Sequence, residues 1–208
     1  AAGGEICTRN DYTRPVSDYS LVVAPVIDNA CGSVALFAYN ADGAGVITEL
    51  KAQNFAGQIY GTDGIASVTT AESMQDDLLD GVISTNVYQG GDGEVAAALQ
   101  SLWPDSLPMG QFAMHAFDAY TIMAFSAFTQ LSNGGPSAFP SALAISTVAN
   151  DWNGATGTIT FESNGDLMGG GGYCIGLFSV TDVGADGEGV VSIDCTHNWV
   201  AEVGLTEL

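Results

Sequence analysis

Trp152–Asp166, WNGATGTITFESNGD, is the stretch on which the fold of this chain turns. Thr158-Ile159-Thr160-Phe161 alternates polar and apolar residues, which predicts a short half-buried strand. Asn164-Gly165 follows and supplies the positive-φ dipeptide that a tight turn requires. A strand followed by Asn-Gly is a common hairpin. What sets this one apart is its position, after a long apolar helix and before a glycine-rich strand, Gly169–Val180.

Working back from it, Ser141–Ala149 reads as a helix, and Phe112–Leu131 as a long helix apolar on almost every face. Its length invites a membrane span, but His115, Asp118, Gln130 and the acidic setting argue against one. A helix buried between a sheet and another layer is the expectation, with Asp118 in a structural role near its start. Gly90-Gly91-Asp92-Gly93 reads as a flexible crossover into a helix Glu94–Leu102, ended by Pro104.

Before that crossover the pattern is strand, helix, strand, helix, strand. Asp18–Ala30 is helical, opened by Ser17 or Asp18 as cap. Ser33–Tyr39, SVALFAY, is a near-continuous apolar run that predicts a fully buried parallel strand. Ala44–Gln53 has helical spacing, Gln58–Tyr60 is a second strand ending in Gly61-Thr62-Asp63-Gly64, Met74–Leu79 is helical, and Gly81–Val87 is a third strand. This is the doubly wound α/β pattern with a mostly parallel sheet and right-handed crossovers. Ligands in such sheets sit beyond the carboxyl ends of the strands, here Tyr39-Asn40, Thr62-Asp63 and Thr85-Asn86. All six are polar or amphipathic, as a small polar ligand requires.

With 208 residues, 47% of them hydrophobic, the chain has enough apolar surface for one large or two small domains. Three cations (Arg9, Arg14, Lys51) face 24 carboxylates, a formal net charge of −21. That field repels phosphate backbones and anionic headgroups, which excludes nucleic acid as a partner. It also fits a saline setting, where salt screens self-repulsion. Cys7, Cys31, Cys174 and Cys195 form no CxxC pair, and an even count fits disulfides outside the cytoplasm. Three connectivities are open. Local pairing, Cys7–Cys31 and Cys174–Cys195, is preferred because each closes a loop of only about two dozen residues. A zinc site recruiting His197 beside Cys195 lacks ligand pairs at a recognisable spacing.

Ala1-Ala2-Gly3-Gly4 has neither the basic region nor the apolar core of a signal peptide, so the expectation is of a processed or cut chain. Asp182, Asp186 and Glu188 in the tail raise calcium as an idea. They do not follow the Asp-x-Asp-x-Asp-Gly pattern, so a solvated turn is expected there and at Asp76-Asp77-Asp80. No metal or other cofactor is expected.

The order of elements resembles the type I periplasmic solute-binding proteins of ABC transporters, the leucine/isoleucine/valine-binding group. The resemblance runs through SVALFAYNADGAG, QIYGTDGIAS, Phe117-Asp118-Ala119 at the start of the long helix, and Gly157–Asp166 as the closing signature. It covers roughly Asp18 to Val180 and matches only the C-terminal part of such proteins. It implies a two-lobed clamp: an extension over 1–17, second-lobe α/β structure over 18–89, the C-terminal portion of the first lobe over 90–168, and a final strand and tail over 169–208. A hinge falls near Asn86–Gly93.

The resemblance also implies a site. Asp63 stands where the family's acidic residue accepts hydrogen bonds from the ligand's α-ammonium, and Tyr39 where a tyrosine packs on the ligand. Asn40 and Thr62 are weaker candidates beside them, and Asp for Glu shortens the reach by one methylene. The implied partners are an amino acid or similar solute, an ABC permease, and a chain carrying the absent N-terminal half; the implied location is periplasmic, extracellular or at the cell surface. Without that half, the helix Phe112–Leu131 is expected to expose a large apolar face.

Two other functions stand against a transport clamp. One is a structural or sensory surface or filament protein that self-assembles and reuses the fold. Burial of Tyr39 and Asp63 against protein would favour it. The other is an enzyme. No Gly-x-Ser-x-Gly, His-Glu-x-x-His, Walker or dinucleotide-binding glycine motif occurs, and Gly169–Gly172 leads into a strand rather than a helix, so no catalytic residue is expected.

Overall fold

The computed structural model describes residues 4–87, 93–104, 109–110, 112–135, 140–168, 173–185, 187, 189–200 and 204–207. The chain divides into two compact units. The first comprises Ala1–Asn86 and Ile175–His197, the second Val87–Cys174 and Asn198–Leu208.

In the first unit, helix α1 (Ser20–Asp28) is capped at Tyr19 rather than at the expected Ser17 or Asp18, and Asp18, one residue earlier, accepts from Ser20 N through Oδ1 at 2.9 Å. β1 (Ser33–Leu36), β2 (Gln58–Gly61) and β3 (Ile83–Val87) are parallel, with Ser33 opposite Gln58 and Tyr60 opposite Ile83. The sheet continues through β6 (Tyr173–Thr181) and β7 (Val190–Val200) in the order β1-β2-β3-β6-β7, and a last strand, β8 (Gly204–Glu207), falls in the second unit. The connection between β6 and β7 is too short for a crossover, so they form an antiparallel hairpin. The expected tail is thus two further strands. Val191, Ser192, Ile193, Asp194 and Cys195 do alternate apolar and polar, a signal short enough to pass for a loop.

Helix α2 (Asn40–Ala52) starts four residues before the expected Ala44. Asp42-Gly43-Ala44-Gly45 has poor helix propensity, and packing overrides it. A Cβ on Gly43 would stand 2.4 Å from Ile65 Cγ2, and one on Gly45 would stand 2.2 Å from the Tyr19 ring, so only glycine lets α2 sit this close. The core gathers Val23, Leu36, Ile47, Leu50, Ile59, Ile65, Leu79 and Phe178 on one face of the sheet.

The other face differs from expectation. Ser33, Ala35, Phe37 and Tyr39 are exposed while Leu36 and Ala38 are buried, so SVALFAY is covered on one side only. Met74–Leu79, expected as a helix, is helical only as a 3-10 turn over Asp76–Leu79, and a separate short helix α3 (Val68–Ala71) precedes it. Asp76 is buried rather than solvated. Its Oδ2 accepts from Gly189 N at 3.1 Å, and Asp76 N donates to Gly187 O, which ties the turn to the β6–β7 connection. Cys7 and Cys31 form a disulfide, as local pairing requires. Cys174 and Cys195 are also disulfide-bonded, which removes the zinc idea at Cys195.

The second unit holds α4 (Glu94–Leu102), α5 (Ala113–Ser132), α6 (Ala142–Val148) and an antiparallel hairpin of β4 (Trp152–Gly154) and β5 (Gly157–Ile159). β5 finds its partner within the chain, as the second strand of a hairpin. Asn164-Gly165 makes the expected turn, with Gly165 at φ +92° and Phe161 bridged to Leu167. One side of α5 packs on the hairpin and on α6 through Ile122, Ala149 and Ile159. Tyr120, Met123, Phe128 and Leu131 are exposed, so α5 is not enclosed between two layers among the described residues. No described helix is long and apolar enough to cross a membrane. Residues 90–92 of the crossover and most of the hinge at 86–93 lie outside the described residues, as do Gly169–Gly172, Asp186 and Glu188.

Candidate functional site

The turns leaving β1 and β2 meet at the carboxyl ends of the parallel strands. Tyr39 is extended and sits just ahead of α2, where its carbonyl accepts from Gly43 N at 2.8 Å. Thr62 is extended too, and Asp63 opens a 3-10 turn, Asp63–Ile65, closed by Ile65 N on Thr62 O at 3.1 Å. Gly64 is the point of contact between the turns. A Cβ there would stand 2.5 Å from the Ala38 carbonyl oxygen and 3.2 Å from Tyr39 Cδ1. The glycine of Thr-Asp-Gly is thus required by close approach, and its φ lies outside the left-handed range.

Of the four residues singled out from sequence, Tyr39 is 71% exposed and Asp63 and Thr62 are partly buried. An exposed phenol ring beside a carboxylate-bearing turn offers an aromatic face, a hydroxyl and an acceptor for a cationic donor. Asn40 has a different task. Its Oδ1 accepts from Ser67 Oγ at 3.0 Å and from Thr70 Oγ1 at 3.4 Å, which braces α2 against the segment after β2. Thr85 and Asn86 belong to β3 itself, Asn86 being buried.

Two residues near this corner escaped the sequence reading. Asp42, in the first turn of α2, is buried, accepts from Tyr19 Oη at 2.9 Å, and is ion-paired to Arg14. Arg14, Pro15, Val16, Tyr19 and Asp42 line an open cavity of about 480 Å³. Burial raises the pKa of Tyr19, reinforced by its hydrogen bond to Asp42, and burial followed by the Asp42 charge raises that of Tyr12. The scarcity of cations was the available signal: a chain with three has reason to spend one on a buried carboxylate.

In the second unit, Asp118 is buried and its carboxylate accepts from Ala155 N, Thr156 N and Thr156 Oγ1. Its role is structural, as expected, but it fixes a distant hairpin rather than its own helix. Neighbouring His115 has its pKa lowered, by burial first, with the Asp118 charge opposing. Among the described residues, no group of three His, Cys, Asp or Glu is placed to hold a metal ion.

No family model matches this chain, and no curated protein does. Solved structures do. The chain is similar to a leucine-binding protein, LivK, from Thermotoga maritima, with a TM-score of 0.70 at 16% identity over 88% of this chain and 49% of that one. A type 1 periplasmic binding protein from Bordetella pertussis gives 0.69 at 15% identity over 88% and 51%. LivJ from Streptococcus pneumoniae, solved in complex with isoleucine, gives 0.63 at 11% identity over 88% and 50%. The fold is that of part of a type I periplasmic binding protein. The chain spans about half the length of the structures it matches.

Proposed function

We propose that this chain is one part of an extracytoplasmic solute-binding protein that takes up an amino acid or similar small polar solute for an ABC-type permease. The observation that carries this is the exposed Tyr39 ring standing against Gly64, next to Asp63. Asp63 accepts hydrogen bonds from the solute's ammonium, and Tyr39 covers its side chain; Thr62 contributes at the rim, and Asn40 holds the Tyr39 turn in place. The exposure of Tyr39 favours this reading over a structural one, which would have buried it. Disulfides fit a location outside the cytoplasm. The apolar face of α5 supports an additional N-terminal half, contributed by polypeptide outside these residues, that covers Tyr120, Met123, Phe128 and Leu131.

The test is a thermal-shift screen with leucine, isoleucine, valine and other amino acids on the protein isolated from its source. A ligand that binds only the folded state at 100 times its Kd adds about 2.7 kcal/mol of stability. A shift that disappears in Asp63→Asn is expected. No shift with any small polar solute sinks the proposal.

A further inference from the structure

Helix α2 begins where a helix is poorly supported by its own residues. Tyr39 at the N-cap makes no capping side-chain bond, and Gly43 and Gly45 follow within the first turns. Contacts from elsewhere must hold this turn, and they come from the segment ahead of α1. Residues 7–17 contain no helix or strand and are fastened by side chains instead. The Cys7–Cys31 disulfide ties one end to the residues just past α1. Asn10 Nδ2 donates to Val22 O at 2.6 Å midway, and Arg14 pairs with Asp42 at the other end. Tyr19 completes the contact: its hydroxyl donates to Asp42 Oδ1, and its ring fills the space that a Cβ on Gly45 would need.

We infer that residues 7–16 form a strap, and that Arg14 and Tyr19 are positioning residues for the Tyr39–Asp63 site, acting through Asp42. The physical reason is charge burial. Asp42 is buried, and Arg14 is its one cationic partner among the described residues. The other described ion pair, Arg9 with Asp11, lies on the surface. With Arg14 detached, Asp42 keeps only the Tyr19 hydroxyl, and a buried carboxylate left in that state moves toward water. Asp42 is three residues from Tyr39 and two from Asn40, so its movement disturbs both. Tyr39 then loses its seat against Gly64, and the Asn40 brace to Ser67 and Thr70 loosens. The effect on solute affinity rests on the solute-binding reading; the hold of the strap on α2 does not.

The experiment uses the full-length protein that the gene encodes, with leucine and the other amino acids of the thermal-shift screen as ligands. Hydrogen exchange is followed over residues 40–47, where Gly43 N donates to Tyr39 O, with α6 as the control segment. Arg14→Gln is expected to speed exchange over 40–47 and to raise the ligand Kd, each by about fivefold, the factor that a partly exposed ion pair supplies. Exchange in α6 stays unchanged. Arg14→Lys, which keeps the charge, restores part of both effects. Cys7→Ser combined with Cys31→Ser frees the far end of the strap and gives the same changes at smaller size. Asp42→Asn removes the buried charge, so adding Arg14→Gln to it has little further effect. Unchanged exchange over 40–47, equal acceleration in α6, additive effects of the two substitutions, or unchanged affinity in Arg14→Gln overturns the inference. Ligand binding by the parent with no change in exchange removes this inference alone. Faster exchange over 40–47 in a protein that binds no amino acid removes the solute-binding proposal alone.

Discussion

Asp118 Oδ2 holds Thr156 twice, accepting from its backbone N at 2.8 Å and its hydroxyl at 2.7 Å, while Oδ1 takes Ala155 N at 2.6 Å. One helix carboxylate thus satisfies the turn between β4 and β5. A Cβ on Gly154 would stand 2.7 Å from the same carboxylate, so the glycine makes room for it.

Asp118→Ala leaves buried donors without an acceptor and is expected to cost about 3 kcal/mol of stability. Thr156→Val removes only the hydroxyl donor and should cost about 1 kcal/mol. Chemical denaturation of the two variants checks the ranking; equal losses would show that the carboxylate is not the anchor.

Gly64→Ala drives a methyl group into the Ala38 carbonyl, a backbone atom that cannot rotate away. A stability loss of about 1–3 kcal/mol is expected from the overpacking. The amino-acid-induced thermal shift should fall with it, because Tyr39 must move. A variant as stable and responsive as the parent would show that the two turns are not in close contact.

Tyr39→Ala removes an exposed ring and should change stability by no more than about 0.5 kcal/mol. Its expected effect is on the ligand response alone, read as loss of the thermal shift. A large loss of stability with the response retained would reassign Tyr39 to packing.

His115 gives a pH signature. Burial lowers its folded-state pKa below the ordinary value of 6.5, so the folded state resists the proton that the unfolded chain accepts. The contribution is fully present above that ordinary value and is lost as pH falls through the lowered folded pKa. His115→Gln should flatten this part of the stability profile, and denaturation midpoints measured between neutral and mildly acidic pH decide it.

Arg14→Gln leaves buried Asp42 with the Tyr19 hydroxyl but without its cation. Because Arg14 is 61% exposed, solvent screens the pair and a loss of about 1 kcal/mol is expected, shrinking as salt rises. A loss independent of salt would point to packing of the Arg14 stem instead.

The sequence by itself determined the strand-helix alternation of the parallel β1, β2 and β3, the Asn164-Gly165 turn and the long helix, and it favoured the local Cys7–Cys31 pairing. Each depends on local periodicity, a turn dipeptide or a short loop, and these are written in neighbouring residues. Tertiary structure decided the rest. It began α2 at Asn40, because close packing against Ile65 and Tyr19 outweighs poor propensity. It turned Asn40 into a brace and set Tyr39 against Gly64, contacts between residues more than twenty positions apart. It paired β5 with β4 under Asp118, and it left Phe37 and the outer side of α5 uncovered. An apolar residue looks the same in sequence whether a layer covers it or not; only the placement of the other elements decides which.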